Sequence, residues 1–431
     1  MIDKIESYLK KKTDSYEIYY GELDSETFEL NKNKLDSCIY GSIKGFGIRV
    51  FNEGKIGFSS SLNINNYKNV ADAALKIAKL NNKDKNFKGF VKRAKYPNIK
   101  SFYDELADFN EGDIKKYINN AIKIFNKEDI SLSRGIYKKN LGERTIVNSE
   151  GVYAEDKFSY NSFDYNIIDN EKNALWDEDE SKTIMNNDKQ TENVKRIRLL
   201  KIKDTPKTGD MKFLLGPRAL AQLLNAFIFN VDGENVVNKK SILKDKLNDK
   251  IFDKKITIID SGIGDYVNSR KCDDEGTPCK ETKIVVNGIL KNFLLDSYYG
   301  NIMKKKSTGN ASRSYSSTPG ISPNNIIFSK GKYDIKDIFS SINKVIFVND
   351  LLGAHTMDSQ TGLFSLGVTE GHIIEDGKIK YAVKDTMVSG NIFDLLRNAE
   401  KISDKIEYVG NGEYMPHILF NKIKVIGNGN F

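Results

Sequence analysis

The sequence predicts an α+β protein: an N-terminal α/β domain with antiparallel hairpins and amphipathic helices, followed by a β-rich C-terminal domain. Three observations lead to this prediction. The chain has 431 residues, more than one ordinary core supports. Strand and helix patterns alternate in its first half. In its second half, Asn-Gly and Asp-Gly dipeptides separate short apolar runs, as they do in β-hairpins.

Strand patterns begin the predicted N-terminal domain. Residues 17–20 and 27–30 look like two short strands. Residues 45–61 look like a hairpin that turns at Glu53-Gly54, because such a turn needs a residue with positive φ. A second hairpin turn is expected at Glu150-Gly151, before an aromatic and polar run.

Two amphipathic helices are expected at residues 67–80 and 113–126, where apolar residues recur at helical spacing. The periodic pattern is lost near residues 202–209, which contain a proline and a glycine, as linkers often do. We therefore place the domain boundary there. The N-terminal domain is expected to cover residues 1–202 and the C-terminal domain residues 210–431.

One long helix opens the predicted C-terminal domain. It covers residues 217–229 and begins with Pro217, which suits a first helical turn. Its apolar residues form a stripe that we expect to be buried: Leu220, Leu223, Leu224, Phe227 and Ile228. Hairpins are expected at Asn287-Gly288 and Asp376-Gly377. A long polar loop at residues 307–325, a helix at 392–402 and a final strand at 417–427 complete the domain.

Composition excludes several classes of protein. The net charge of +8 comes from lysines interleaved with acids along the chain, which indicates a solvated surface and no nucleic-acid site. No apolar run is long enough for a membrane span, and the N-terminus does not look like a signal peptide. Cys38, Cys272 and Cys279 are too few for a disulfide framework and lack zinc-site spacing. A cytoplasmic protein is therefore expected.

Motifs that carry chemistry are scarce. The three histidines include no pair at the spacing of a helical metal site, and no phosphate-binding loop, dinucleotide fingerprint or nucleophile elbow is present. The acidic residues at 273–275 could bind a hard cation, but such a run more often caps a turn or faces solvent. The residues by themselves therefore indicate no obvious catalytic centre.

Four stretches resemble the TldD/PmbA family, and together they span most of the chain. Residues 41–61 are similar to the family's arginine-and-glycine hairpin. Residues 273–300 resemble its most characteristic block, residues 307–313 continue that block, and residues 361–391 resemble the closing block. The common order of the four stretches makes the resemblance specific. We take as candidate substrate or interface residues Asp274, Glu275, Gly276, Asp296 and Tyr298 of the second stretch, together with His355.

The resemblance also implies what this chain lacks. TldD-like members carry a His-Glu-x-x-x-His stretch on a helix and a cysteine near the C-terminus, which would hold zinc and supply a general base. On the matching helix, Asn225 and Asn230 stand at the histidine positions and Ala226 at the glutamate position. The C-terminal region has no cysteine. We therefore expect no catalytic residue and no cofactor in this chain. Because these positions lie outside the predicted stripe, the helix should tolerate substitution there.

The family resemblance implies a PmbA-like subunit of a zinc metalloprotease that degrades unfolded proteins and peptides. Its expected partner is a TldD-like subunit that carries the zinc, in a heterodimer, and a homodimer is possible when the chain is alone. The apolar residues at 293–295, next to an acidic turn, are expected to be buried against that partner.

Two alternatives remain open at this point. The chain could be a homo-oligomeric, non-enzymatic protein that binds peptides or acts as a scaffold. It could also be an enzyme with its own metal, held by His355, His372 and an acid such as Asp358. The first alternative needs no TldD-like partner, and the second requires metal in the purified single chain.

Overall fold

Two large β-sheets organise residues 2–429, the part of the chain that this computed structural model describes. The first sheet has six strands and the second has twelve. Helices pack against both sheets, which confirms the predicted α+β class. None of the helices in the described range is long and apolar enough to cross a membrane.

The first sheet is antiparallel throughout, in the order β3-β2-β1-β4-β5-β6. Its strands are β1 (Tyr16–Asn31), β2 (Lys34–Asn52), β3 (Lys55–Ser61), β4 (Ile130–Asn148), β5 (Tyr153–Asp169) and β6 (Ala174–Ser181). Both hairpins predicted here are confirmed. Residues 17–20 and 27–30 are in strand conformation as predicted, but their division into two short strands is wrong, because β1 is one continuous strand. Its polar middle is held by ladders to β2 and β4 on both sides.

Among the described residues, five α-helices accompany the first sheet: α1 (Ile2–Leu9), α2 (Tyr67–Leu80), α3 (Asp104–Ala107), α4 (Glu111–Asn126) and α5 (Asp188–Arg198). Helix α2 has the predicted bounds, and α4 begins two residues earlier than predicted, at a capping box formed by Asn110 and Asp113. Helices α1 and α2 share one hydrophobic cluster with β1 and β2, and α4 and α5 share another with β1, β4 and β5.

The second sheet runs in the order β11-β10-β9-β14-β20-β8-β15-β16-β17-β7, with β18 beside β16 and β20, and β19 beside β20. Its strands are β7 (Lys203–Asp204), β8 (Lys207–Leu215), β9 (Ile258–Ser261), β10 (Glu281–Val286), β11 (Ile289–Leu290), β14 (Ile326–Phe328), β15 (Lys344–Leu352), β16 (Leu363–Glu375), β17 (Lys378–Val383), β18 (Met387–Asn391), β19 (Ala399–Tyr408) and β20 (Glu413–Asn428). A separate two-stranded pair is formed by β12 (Ala311–Ser312) and β13 (Gly320–Ile321). Much of the predicted linker is therefore ordered, as β7 and as the first residues of β8.

In the described part of this half there are five further α-helices: α6 (Pro217–Val231), α7 (Gly233–Val237), α8 (Ser297–Ile302), α9 (Ile335–Ser340) and α10 (Ile392–Arg397). The predicted turns at Asn287-Gly288 and Asp376-Gly377 are present, with positive φ at all four residues. The helix predicted at residues 392–402 is only half right. It ends at Arg397, and Ala399–Tyr408 forms strand β19 instead, because pairing with β20 outweighs the helical spacing of its apolar residues.

The polar loop at residues 307–325 reaches from the second half of the chain onto the first sheet. Tyr315 lies against β2 at Gly45 and Gly47, where a Cβ atom would overlap its ring or its carbonyl oxygen. Arg313 stacks its guanidinium over the ring of Tyr19, 4.6 Å from the centroid. Glycines in β2 therefore make room for a contact that joins the two halves.

Candidate functional site

Helix α6 carries Asn225, Ala226 and Asn230. By the resemblance described above, these three residues occupy the positions of the His-Glu-x-x-x-His zinc motif. The helix begins at Pro217, as predicted, and packs against β15 and β20. Asn225 is exposed, whereas Ala226 and Asn230 have 0% of their surface exposed. The buried face of α6 is thus wider than the predicted stripe, and Ala226 and Asn230 do not fit the expectation that they tolerate substitution.

Asn230 uses both ends of its amide to fasten neighbouring segments to α6. Its Nδ2 donates to the carbonyl oxygens of Ala226, Ser359 and Gln360 at 2.8, 2.9 and 3.0 Å. Its Oδ1 accepts from the backbone N–H of Ile242 at 2.7 Å. Every polar atom of this buried side chain is therefore engaged in structural hydrogen bonds.

These residues do not fit a zinc ion. Asn230 Oδ1 already accepts from the Ile242 N–H, the Ala226 side chain has no proton acceptor, and the Asn225 Nδ2 donates to the carbonyl oxygen of Gln222 at 3.3 Å. Zinc ligands in proteins are thiolates, imidazoles and carboxylates, and none of these three residues supplies one. Within residues 2–429, no group of three or more His, Cys, Asp or Glu side chains is arranged to hold a metal ion.

The histidines of the alternative metal site have separate surroundings. His355 is exposed on a 3₁₀ turn, Ala354–Thr356. His372 is buried in β16, with Nε2 3.3 Å from the carbonyl oxygen of Leu199. Asp358 accepts hydrogen bonds from Thr361. Nothing in this arrangement supports an own-metal enzyme.

Charged side chains line one face of the first sheet. Glu17 of β1 is directly opposite Arg49 of β2, and Arg144 of β4 is directly opposite Asp156 of β5. The register places all four on the same face, since side chains alternate along a strand. All four are buried, although a charged sheet face is ordinarily solvated.

Residues from the second half of the chain cover this face and pair with it. The Arg49 Nη2 lies 3.2 Å from Glu275 Oε1, and the Arg144 Nη1 lies 2.6 Å from Asp274 Oδ1. Arg313, which also belongs to the second half, pairs with Glu17 of the first sheet, with 2.5 Å between Arg313 Nη2 and Glu17 Oε1. We call this set the junction cluster: Glu17, Arg49, Arg144, Asp156, Asp274, Glu275 and Arg313. Burial alone would raise the pKa of Asp274, but Arg270 and Arg144 hold it below its usual value.

The acidic turn is a structural part of this junction. Asp273 accepts from the N–H groups of Glu275 and Thr277 through Oδ1, and from that of Ala311 through Oδ2. The predicted turn-capping role is confirmed for Asp273, but the solvent-facing alternative is wrong, because residues 273–275 are all buried. Burial and the nearby Glu275 raise the pKa of Asp273 to about 7. Gly276 completes the turn at φ +84°.

Asp296 precedes α8 and Tyr298 lies in its first turn, beside the acidic turn. Asp296 caps the helix by accepting from the N–H of Tyr299 at 2.7 Å, and the next residue, Ser297, donates its N–H to Glu275 Oε2 at 2.9 Å. Burial and the charge of Glu275 raise the pKa of Asp296 to about 7. The half-buried Tyr298 has a raised pKa because of burial and a hydrogen bond to Asp84.

The structure therefore joins Asp274, Glu275, Gly276 and Asp296 in one region, whereas His355 stands on a separate exposed turn. Sequence reasoning missed the arginines that neutralise this region. Strand register could have predicted part of this arrangement, since it places Glu17 beside Arg49. Register within the first sheet gives no information about partners from the second half of the chain.

The apolar residues at 293–295 are not available to a partner. Phe293, Leu294 and Leu295 are each 1% exposed and belong to the chain's own core. The prediction that they form a subunit interface is wrong, because α6 and neighbouring strands already bury them.

Comparison with known protein families matches two parts of the chain. Residues 208–427 match the PmbA/TldA metallopeptidase C-terminal domain. Residues 16–78 match the PmbA/TldA metallopeptidase domain 1. Together these matches include α6, the acidic turn and the β2 hairpin.

Full-length similarities extend to individual proteins. An uncharacterized protein from Methanocaldococcus jannaschii is 33% identical over 87% of this chain and 88% of its own length. A metalloprotease PmbA homolog from Buchnera aphidicola is 25% identical, over 96% of this chain and 93% of its own. The crystal structure of TldE from Thermococcus kodakarensis has the same fold, with a TM-score of 0.92, 23% identity and coverage of 99% of this chain and 100% of that one.

Proposed function

The chain belongs to the PmbA/TldD metallopeptidase family, and from that premise we propose that it is the PmbA-like, non-catalytic subunit of a zinc metalloprotease. Its partner would be a TldD-like subunit that holds the zinc, and the two would act on unfolded proteins and peptides. Three free cysteines fit a cytoplasmic location for this assembly.

The surroundings of Asn230 carry the proposal. A residue that held zinc at this position would direct its side chain to the ion, but Asn230 directs its amide to Ser359, Gln360 and Ile242. Asn230 therefore has a structural role, because it connects α6 to the segments that contain Ser359, Gln360 and Ile242. Chemistry in the assembly would then depend on the other subunit, while this chain contributes surface and substrate contacts.

An exposed strand segment supports contact with a partner. Over residues 34–45, β2 pairs only with β1 within the described structure, because the pairing between β2 and β3 begins at Phe46 of β2. Large apolar side chains are exposed along this segment: Leu35 38%, Ile39 52%, Tyr40 57% and Ile43 53%. A long, open strand edge with apolar side chains favours strand addition by another chain. We assign this edge to the TldD-like subunit.

Co-expression with a TldD-like metalloprotease from the same genome tests the proposal. We expect a stable one-to-one complex, eluting near twice the 48.8 kDa of this chain if the subunits are of similar size, with peptidase activity on an unstructured peptide and little on folded proteins. Separate elution of the two chains at all salt concentrations would contradict it. A homo-oligomer that excludes the second chain would favour the scaffold alternative.

Variants of the exposed edge sharpen this test. Ile39→Asp with Ile43→Asp should abolish complex formation, because two carboxylates would have to be desolvated at the interface. Leu352→Asp, at a residue that is 65% exposed on β15, is the matched control and should leave the complex intact. Equal behaviour of the two variants would remove β2 as the docking edge.

A further inference from the structure

The turn at residues 410–412 connects β19 to β20 and is fastened to the first sheet. Its residues, Gly410, Asn411 and Gly412, have φ values of +101°, +52° and +76°. The N–H of Asn411 donates to Oε2 of Glu180, on β6, at 3.0 Å. Tyr408, the last residue of β19, donates its hydroxyl to the same oxygen. This turn is therefore a contact between the two halves of the chain.

Asn411 has the neighbour that favours reaction of its side chain. The amide carbon of an asparagine can be attacked by the main-chain nitrogen of the following residue, and glycine in that place leaves the nitrogen unobstructed. Glycine on both sides also allows the rotation about the Asn411 Cα–C bond that brings the two atoms together. The Asn411 side chain is exposed, and its amide makes no hydrogen bond within residues 2–429. Its Cγ atom is therefore open to attack.

Asn287 is followed by glycine as well, in a turn of nearly the same conformation. Asn287 and Gly288 have φ values of +49° and +78°, and the Asn287 side chain is also exposed. Here, however, the N–H of Gly288 donates to the carbonyl oxygen of Ile256 at 2.8 Å. A nitrogen held in this way must lose its hydrogen bond before it can attack. The two turns thus match in φ and in exposure, and they differ in the hydrogen bonding of the glycine N–H.

The N–H of Gly412 is not held by a carbonyl oxygen. Among residues 2–429 it makes no backbone hydrogen bond, and its polar neighbour is the hydroxyl oxygen of Tyr408, which already donates to a carboxylate. The third Asn-Gly pair of the chain is Asn428-Gly429. There the glycine N–H donates to the carbonyl oxygen of Pro206 at 3.3 Å, so this pair is protected in the same manner as the pair at residues 287–288.

We propose that Asn411 is a site of spontaneous deamidation, and that Asn287 and Asn428 are not. The main-chain nitrogen of Gly412 gives its proton to hydroxide and forms a bond to Cγ of Asn411. The bond from Cγ to the side-chain nitrogen breaks, and that nitrogen takes a proton from water and leaves as ammonia. Water then opens the cyclic imide at either of its carbonyl carbons, which yields an aspartate or an isoaspartate.

The product places a new carboxylate among acids. Glu180 accepts from the N–H of Asn411, and Glu178 Oε2 lies 3.5 Å from the position that a Cβ atom would take on Gly410. Burial and the charge of Glu180 already raise the pKa of Glu178 to about 7. A further negative charge is therefore unfavourable here, and an isoaspartate also lengthens the main chain of the turn. We expect deamidation to loosen the contact between this turn and β6.

Incubation of the purified chain in mildly alkaline buffer, followed by peptide mapping with mass spectrometry, tests this inference. Deamidation replaces NH2 by OH, which raises the mass of the peptide, and chromatography separates the aspartate and isoaspartate products. We expect Asn411 to convert at least about fivefold faster than Asn287, since a hydrogen bond must first be broken at Asn287. Equal rates at these two asparagines, or an unchanged Asn411, would overturn the proposal.

The same incubation in denaturant separates the effect of the structure from that of the sequence. Once the chain is unfolded, Asn411 and Asn287 should convert at similar rates, because neither glycine N–H is then held in the fold. A difference that persists in the unfolded chain would show that the flanking residues set the rates, and the structural assignment would fail.

Three variants test the expected loosening of the turn. Asn411→Asp supplies the charge of one product, whereas Asn411→Gln keeps an amide that reacts far more slowly, because a larger ring must close. Asn411→Asp should unfold at a lower temperature than Asn411→Gln. Asn287→Asp, in the matched turn, should lower the unfolding temperature less than Asn411→Asp does. Equal unfolding temperatures for the three variants would contradict a role of deamidation in loosening this contact.

Discussion

Arg49 and Glu275 lie 226 positions apart in the sequence, yet the guanidinium Nη2 and the carboxylate Oε1 are 3.2 Å from each other in the junction cluster. Both residues are at most 6% exposed. Arg49 also pairs with Glu17 at 2.8 Å, so a single guanidinium neutralises carboxylates from both halves of the chain.

Arg49→Met is expected to destabilise the fold by about 3–5 kcal/mol, because it leaves Glu275 buried without its cation. Arg397→Met is the control, since the Arg397 side chain is 52% exposed and pairs with an exposed Asp394. The control should cost at most about 1 kcal/mol. Urea unfolding measures both, and equal losses would show that the junction cluster contributes no special stability.

Asn230→Ala should lower the free energy of unfolding by about 2–4 kcal/mol, because it leaves the Ile242 N–H and the Ser359 and Gln360 carbonyls without their partner. Asn225→Ala, five residues earlier on the same helix, should change stability by less than about 0.5 kcal/mol because Asn225 is exposed. Chemical denaturation of the pair checks the difference. Similar losses would contradict the structural role of Asn230.

Asp296 should make stability depend on pH. Its folded pKa is raised to about 7, so it favours the folded state while protonated, and that contribution declines as pH rises from about 4 towards 7. Asp296→Asn keeps the oxygen that caps α8 and removes the titration. The stability of the wild type relative to this variant should therefore fall over that interval and level off above it.

The matched control for this pH series is Asp334→Asn, which caps the equally short helix α9 through the N–H of Lys336. Asp334 lies away from the acids and the arginine that face Asp296, which are Glu275, Asp273 and Arg49. Its variant should show a much smaller pH-dependent difference. Parallel curves for the two variants would contradict the assignment to Asp296.

The purified single chain should contain far less than one zinc ion per molecule after mild dialysis, because Asn225, Ala226 and Asn230 offer no suitable ligand set. Elemental analysis measures the content. The triple variant Asn225→His, Ala226→Glu, Asn230→His should bind zinc weakly at best and lose stability, since two of the changes place larger groups in a buried space. About one zinc ion in the wild type would contradict the proposal.

Local sequence signals predicted the elements that depend on local chemistry. The Asn287-Gly288 and Asp376-Gly377 turns and helix α2 came from residues that favour those structures by themselves. The failures depend on distant partners. Strand β19 takes residues with a helical pattern because β20 lies beside it, and the acids at 273–275 are buried because arginines from β2 and β4 meet them.

The junction cluster also affects how the chain can fold during synthesis. Glu17, Arg49 and Arg144 leave the ribosome long before Asp274, Glu275 and Arg313, so the first sheet must wait with its charged face exposed to water. Contacts so far apart in sequence form slowly, because a long loop must close first. A nascent chain that ends before residue 273 would therefore have a first sheet whose Arg49 and Arg144 side chains lack the carboxylates of Glu275 and Asp274.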